Sequence, residues 1–143
     1  MISSTEAISL SQERPILYYD GVCHLCNYWV RRISHDEHGQ QYLFVALQSS
    51  SGQEMLEYLS LPTDIYQSVI LVYLGQIYQR SDVPIMIADT LDGKWKLLKL
   101  LKIIPKTLRD WGYELVARYR YQWFGQSETC ELPPMDQRDQ FII

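Results

Sequence analysis

The 143-residue sequence predicts an α/β domain: a three-layer sandwich with a central mixed sheet of about four strands and additional C-terminal helices. Three observations carry this expectation. Short apolar runs rich in β-branched and aromatic residues alternate with segments of helical period. The dipeptide Leu74-Gly75 separates two strand-like runs, as in a β-hairpin. Beyond it, residues 83–123 read as nearly continuous helix.

Residues 1–13 are polar and are expected as a flexible tail. A domain over 14–125 follows, then a polar tail over 126–143 that contains Pro133-Pro134. PILYYD (15–20) has the length and composition of a buried strand. From Cys26 onward, Tyr28, Trp29, Val30 and Ile33 recur with helical spacing, which should fail near Gly39. YLFVAL (42–47) is a second buried strand. Ser51 and Glu54 have the spacing of a capping box and open a short helix through Leu59, stopped by Pro62. SVILVY (68–73) and QIYQ (76–79) flank the hairpin turn. Ser81-Asp82, with Pro84 behind it, opens a helix over 83–91 with Ser81 as its cap. Helices over 94–104 and 106–123 complete the pattern, divided by Pro105.

Hydrophobic residues make up 47% and charged residues 21%, the balance of a soluble globular domain. No apolar run approaches the roughly 20 residues needed to span a bilayer. The segment MISSTEAISLSQER lacks the basic start and apolar core of a secretory signal. The expected location is therefore cytoplasmic. In a reducing compartment a close cysteine pair is catalytic or metal-binding rather than a structural disulfide.

A net charge of −4 conceals a basic block, because eight Lys and Arg between Lys94 and Arg120 face only Asp110 and Glu114. On a helical wheel Lys96, Lys99, Lys102 and Lys106 share one stripe, and Leu97, Leu98, Leu101 and Ile104 point away from it. Such a helix packs its leucines on the domain, or makes a peripheral contact with a membrane surface or partner through Lys96, Lys99 and Lys102. RYRYQWF (118–124) interleaves basic and aromatic residues, as nucleic-acid stacking surfaces do. A helix of this pattern more commonly buries Tyr119 and Trp123 and leaves its arginines outside, so no nucleic acid is expected.

The chemistry concentrates in YYDGVCHLCNYW (18–29), where two cysteines stand at a strand-to-helix junction. Unpaired N–H groups and the helix dipole place partial positive charge near Cys23. Cysteines so placed have pKa values lowered to about 3.5–7.5. Cys26 returns to the same face one turn on, so Cys23 would attack and Cys26 would resolve the mixed disulfide. His24, if protonated, would stabilise the thiolate; otherwise it is an exposed spacer. Haem attachment is excluded by Asn27, because that motif needs histidine directly after the second cysteine. Cys23, Cys26, His35 and His38 have a zinc-like order. An unbroken helix, however, would carry His35 about 13 Å from Cys26. A zinc module and a pair of inert thiols stand as the weaker alternatives, and no metal or cofactor is expected.

Asp20, three residues before Cys23, has two readings. It exchanges a proton with Cys26, or it caps the loop with Gly21 as an Asx-type turn. If charged it would oppose the thiolate.

Asp20-Gly21-Val22-Cys23-His24-Leu25-Cys26 resembles the signature of the DCC family of thiol-disulfide oxidoreductases, named for its Asp, Cys and Cys. Ser81-Asp82 is similar to that family's Ser-Asp element. Tyr113 to Gly125, followed by Cys130, is similar to its C-terminal helix, glycine and trailing cysteine. The resemblance covers about residues 15–130. It implies a thioredoxin-like fold and exchange with a thiol or disulfide client, protein or small thiol, together with an electron donor or acceptor. It also makes Ser81 and Asp82 a polar rim of the redox site. With three cysteines in the chain, pairing of Cys23 with Cys26 leaves Cys130 as a third redox thiol, a regulatory disulfide partner or a buried helix-end residue. Thioredoxins proper carry a cis-proline facing the pair; here that place falls near Gln67 and Ser68. A role narrower than general protein-disulfide exchange follows.

Overall fold

The computed structural model describes residues 3–61, 69–91, 93–126 and 140–142. Among the described residues, five α-helices and five strands follow in the order α1 (Ser4–Leu10), β1 (Ile16–Tyr19), α2 (His24–His35), β2 (Leu43–Ala46), α3 (Ser50–Tyr58), β3 (Ile70–Tyr73), β4 (Gln76–Gln79), α4 (Asp82–Thr90), α5 (Lys106–Phe124) and β5 (Phe141–Ile142). Two 3₁₀ segments, Glu37–Gln41 and Gly93–Ile103, join α2 to β2 and α4 to α5.

The strands form one mixed sheet in the order β4-β3-β1-β2-β5. β1 lies parallel to β2 and antiparallel to β3, and β3 closes the hairpin with β4. β1 is central and buried along its whole length, which is why its sequence is apolar without alternation. Leu17 and Tyr19 face one layer, with Val30 and Ile33 of α2, Val83 and Ile87 of α4, and Trp95. Ile16 and Tyr18 face the other, with Ala7 of α1 and Met55 and Leu56 of α3. This is the expected three-layer, thioredoxin-like sandwich. Its hairpin turn has Leu74 and Gly75 both at positive φ (51° and 77°), the conformation that matches strand twist.

Several local expectations change. Residues 4–10, expected within a flexible tail, form α1. Ser3 caps it by accepting the Glu6 N–H, and the Ser4 N–H donates to Glu54 on α3. One buried alanine is too narrow an apolar stripe to register in sequence. At the other end, Phe141 pairs beside β2 and packs on Phe44 at 5.1 Å, adding a fifth strand from the expected tail. α3 starts earlier than the capping-box spacing suggests. Ser49 is its cap, accepting the Gly52 N–H at 3.2 Å, and Ser51 is buried in the first turn. Ser81 is not a side-chain cap for α4; its hydroxyl donates instead to Asp110 of α5 at 2.5 Å.

The largest change is in the α-helix expected over 94–104, which is found as a 3₁₀ segment over Gly93–Ile103. With three residues per turn, side chains stack in straight rows. Trp95, Leu101 and Ile104 share the inward row, Lys96, Lys99 and Lys102 a second, and Leu97, Leu100 and Ile103 a third that is exposed. Leu97, placed among the packing leucines by the helical wheel, is therefore 70% exposed. Gln67, Ser68 and Cys130 lie outside the described residues, as does the side chain of His38.

Candidate active site

Cys23 ends the loop after β1 in extended conformation (φ −78°, ψ 121°) and serves as the N-cap of α2. Its sulfur accepts the Cys26 N–H at 3.4 Å, and the Cys26 thiol also donates to it. Those bonds shift the two thiols in opposite directions. The Cys26 thiol, then burial, then the Cys26 N–H and Arg120 act on Cys23, with a net lowering to about 7. Cys26 is raised, because its proton is held by Cys23 and because it sits in an apolar wall. Both thiols are free.

Asp20 is fully buried, and its carboxylate is occupied on both oxygens. Oδ1 accepts the Val22 N–H at 3.1 Å, the Asx turn expected from the sequence, and the Gln48 amide at 2.6 Å. Oδ2 accepts from Arg120 at 2.9 Å and from the Tyr121 hydroxyl. Asp20 thus joins the loop before the cysteines to the last turn of α5. Arg120 is itself buried, the reverse of the expectation that this helix leaves its arginines outside, while Trp123 is 57% exposed. The physical reason is the partner: a buried carboxylate requires a buried cation, whereas an aromatic at a helix end can remain in water.

Asn27, read in the sequence only for not being histidine, is buried and donates from Nδ2 to the carbonyls of Gly21 and Cys23 at 2.8 and 2.9 Å. It fixes the loop that carries the first cysteine. A strap from the end of α5 covers that cysteine. Gln126 forms an antiparallel bridge to Cys23, and the His24 N–H donates to the Gly125 carbonyl at 3.3 Å. The exposed His24 ring meets the Phe124 carbonyl at 3.1 Å through Nδ1, so that nitrogen carries a proton. Gly125 has φ +83° and ψ 177°, a region essentially reserved for glycine. A Cβ there would stand 3.1 Å from His24 Nδ1. Cys23 is consequently a buried residue, and Cys26 is half-buried.

Cys26 faces a cavity of about 600 Å³ between α2, α4, the 93–103 segment and α5. Its walls are mainly apolar, with Trp29, Val30, Ile87, Trp95 and Val116 among them, and Arg109 and Arg120 also line it. Tyr113 also reaches it; its hydroxyl accepts the Val69 N–H at 2.9 Å, and burial raises it to about 12. Ser81 lies on the cavity edge, while Asp82 pairs outward with Lys106 at 2.8 Å and Arg109 at 3.4 Å.

α2 runs unbroken to His35, whose Nδ1 meets the Arg31 carbonyl at 2.7 Å, so His35 stays far from the cysteines. Among the described residues no group of three His, Cys, Asp or Glu is placed to hold a metal ion.

The family model for DCC1-like thiol-disulfide oxidoreductases matches residues 17–126, from β1 through the strap. The chain belongs to this family. Of its relatives, YuxK of Bacillus subtilis is 37% identical over 127 residues, covering 89% of this chain and 93% of YuxK. A chloroplastic DCC family protein of Arabidopsis thaliana is 34% identical over 132 residues, covering 92% of this chain and 77% of its own. No solved structure matches the chain. The matched span of the DCC1-like model holds every group described above: the Asp20 loop, both cysteines, Asn27, Arg120 and Gly125. Among the described residues no helix is long and apolar enough to cross a membrane.

Proposed function

We propose that this chain catalyses thiol–disulfide exchange with Cys23 as the attacking thiolate and Cys26 as the resolving thiol. One observation carries the reading. The Cys23 sulfur caps α2 and receives both the N–H and the thiol of Cys26, which stabilises its anion while Cys26 keeps its proton. Arg120 adds positive charge nearby. By pairing with Asp20 it also offsets the one carboxylate that would oppose the thiolate.

In the reducing direction, the Cys23 thiolate attacks a client disulfide, and one client sulfur leaves. Cys26 then loses its proton and attacks the Cys23 sulfur, which closes the Cys23–Cys26 disulfide and releases the second client sulfur. A reducing compartment such as the cytoplasm would return the pair to its dithiol form. Asp20 is the positioning residue for this reaction, and His24 holds the strap to the helix start.

Redox titration with thiol trapping tests the proposal. The expected result is a two-electron couple in which Cys23 and Cys26 form an intramolecular disulfide, lost in Cys23→Ser and in Cys26→Ser. A pair that stays reduced at every accessible potential overturns it.

A second reading concerns location at a surface. Leu97, Leu100 and Ile103 form an exposed apolar row at 70%, 60% and 80%, beside the row of Lys96, Lys99 and Lys102. Lys99 is partly neutralised by Asp89 at 3.1 Å. We infer a peripheral contact with an anionic bilayer, led by the apolar row. Co-sedimentation with anionic vesicles should fall when Leu97, Leu100 and Ile103 become Ser, and binding unchanged by that substitution would exclude the contact.

A further inference from the structure

We propose that the client of this pair is a small, apolar disulfide that enters the cavity between α2, α4, the 93–103 segment and α5 and meets the cysteines from the Cys26 side. The proposal deepens the thiol–disulfide reading above and rests on it.

Five observations support it. The cavity, at about 600 Å³, has the size of a small-molecule site rather than a peptide groove. Its walls are mainly apolar, and the two arginines among them, Arg109 and Arg120, are paired with Asp82 and Asp20, so a charged hydrophilic disulfide would lose hydration there without recovering it. The reacting pair lies at its surface: Cys26 lines the cavity, and its thiol hydrogen-bonds to Cys23 behind it. Cys23 itself does not line the cavity, so the attack requires the Cys26 side chain to move aside.

The opposite approach is closed. Polypeptide clients commonly dock by adding an extended backbone beside a free edge. Beside Cys23 that place is filled by Gln126, and the His24 N–H is taken by Gly125. The protein's own strap occupies the position a client strand would need.

Gly112 supplies the last observation. It lies in the interior of α5 and lines the cavity. Glycine in a helix interior costs about 1 kcal/mol relative to alanine. No backbone reason for it appears here, since φ is not positive. A Cβ at this position would meet nothing within 4 Å, so packing does not demand glycine either. Its effect is to leave cavity volume open.

The exchange balances as follows. The Cys23 thiolate attacks one sulfur of the bound disulfide and breaks its S–S bond. Cys26 then releases its proton and forms the Cys23–Cys26 bond, freeing the second ligand sulfur. The pair is oxidised by two electrons and the ligand reduced by two. The ligand carries away one proton from Cys26 and one from solvent, equivalent to the proton Cys23 had already released.

Two aromatic disulfides of matched chemistry test this: neutral 4,4′-dithiodipyridine and dianionic Ellman's reagent, each reacted with the fully reduced protein, with free glutathione as the reference thiol. The neutral reagent is expected to be favoured roughly ten-fold beyond its preference with glutathione. Gly112→Leu should abolish that preference by slowing the neutral reagent at least ten-fold more than Ellman's reagent, and keep or raise the Tm because leucine is the better helix former. Ala117→Leu, from the same wall, repeats the test independently. Equal preference for both reagents, unchanged in either variant, overturns the cavity proposal, while an intramolecular disulfide in that experiment leaves the oxidoreductase reading intact. Failure of both reagents to produce a Cys23–Cys26 disulfide overturns both readings.

Discussion

Arg120 and Asp20, a hundred residues apart in the chain, close a buried ion pair of 2.9 Å beside the two cysteines. Side-chain exposure is 7% and 2%, so neither charge is compensated by water. The pair joins the loop after β1 to α5.

Removing one partner of a buried pair leaves an uncompensated charge. We expect Arg120→Met to lower stability by about 3–5 kcal/mol in urea unfolding. Asp20→Asn combined with Arg120→Met should recover part of that loss, and a double variant less stable than the single one would contradict this. Arg120→Met should also raise the Cys23 pKa, because a cation favouring the thiolate is gone.

The pH dependence has a definite sign. Cys23 is lowered to about 7, so its thiolate dominates above that pH and is protonated below it. The rate of alkylation by iodoacetamide in the reduced protein should fall as pH drops through about 7 and level off above it. Cys26→Ala removes the largest lowering influence and should move the midpoint upward, toward the ordinary thiol value of about 8.5. An unmoved midpoint would show that the Cys26 thiol does not stabilise the anion.

Gly125→Ala tests the strap. Its backbone region costs a non-glycine residue about 1–3 kcal/mol, and the new methyl would crowd His24. The strap should loosen, and Cys23 alkylation should accelerate at constant thiol pKa. Acceleration with a changed pKa would instead mean that the α2 cap itself had moved.

Ser49→Ala removes the cap of α3 and should cost about 1 kcal/mol in chemical denaturation. This helix packs on the face away from the cysteines, so the alkylation rate of Cys23 should not change.

The sandwich and the cysteine pair were legible in sequence because both are local. Apolar runs mark buried strands, and a CxxC after a strand marks a thiol at a helix start. Arg120, Tyr121 and Gln48 were not legible as site residues, since nothing near them in the chain names Asp20 as their partner. RYRYQWF showed only alternation, and which of its residues turns inward depends on a carboxylate a hundred positions away. Ser81 misled for a related reason. A serine before a helix is a good cap in isolation, but Asp110 of a later helix competes for its hydroxyl. The 93–103 segment failed differently: its lysines and leucines suit both 100° and 120° spacing, and only packing on α4 and α2 selects between them.

That 3₁₀ segment constrains the length of the chain as well as its composition. In an α-helix a one-residue deletion shifts the apolar stripe by 100° and blurs it. Here the same deletion turns one row into the place of the next, about 120° around. With Trp95 held in place, a deletion within 96–100 would seat Lys102 or Ile103 where Leu101 now forms the cavity wall. Only changes in multiples of three keep the wall greasy, so the segment reads in triplets.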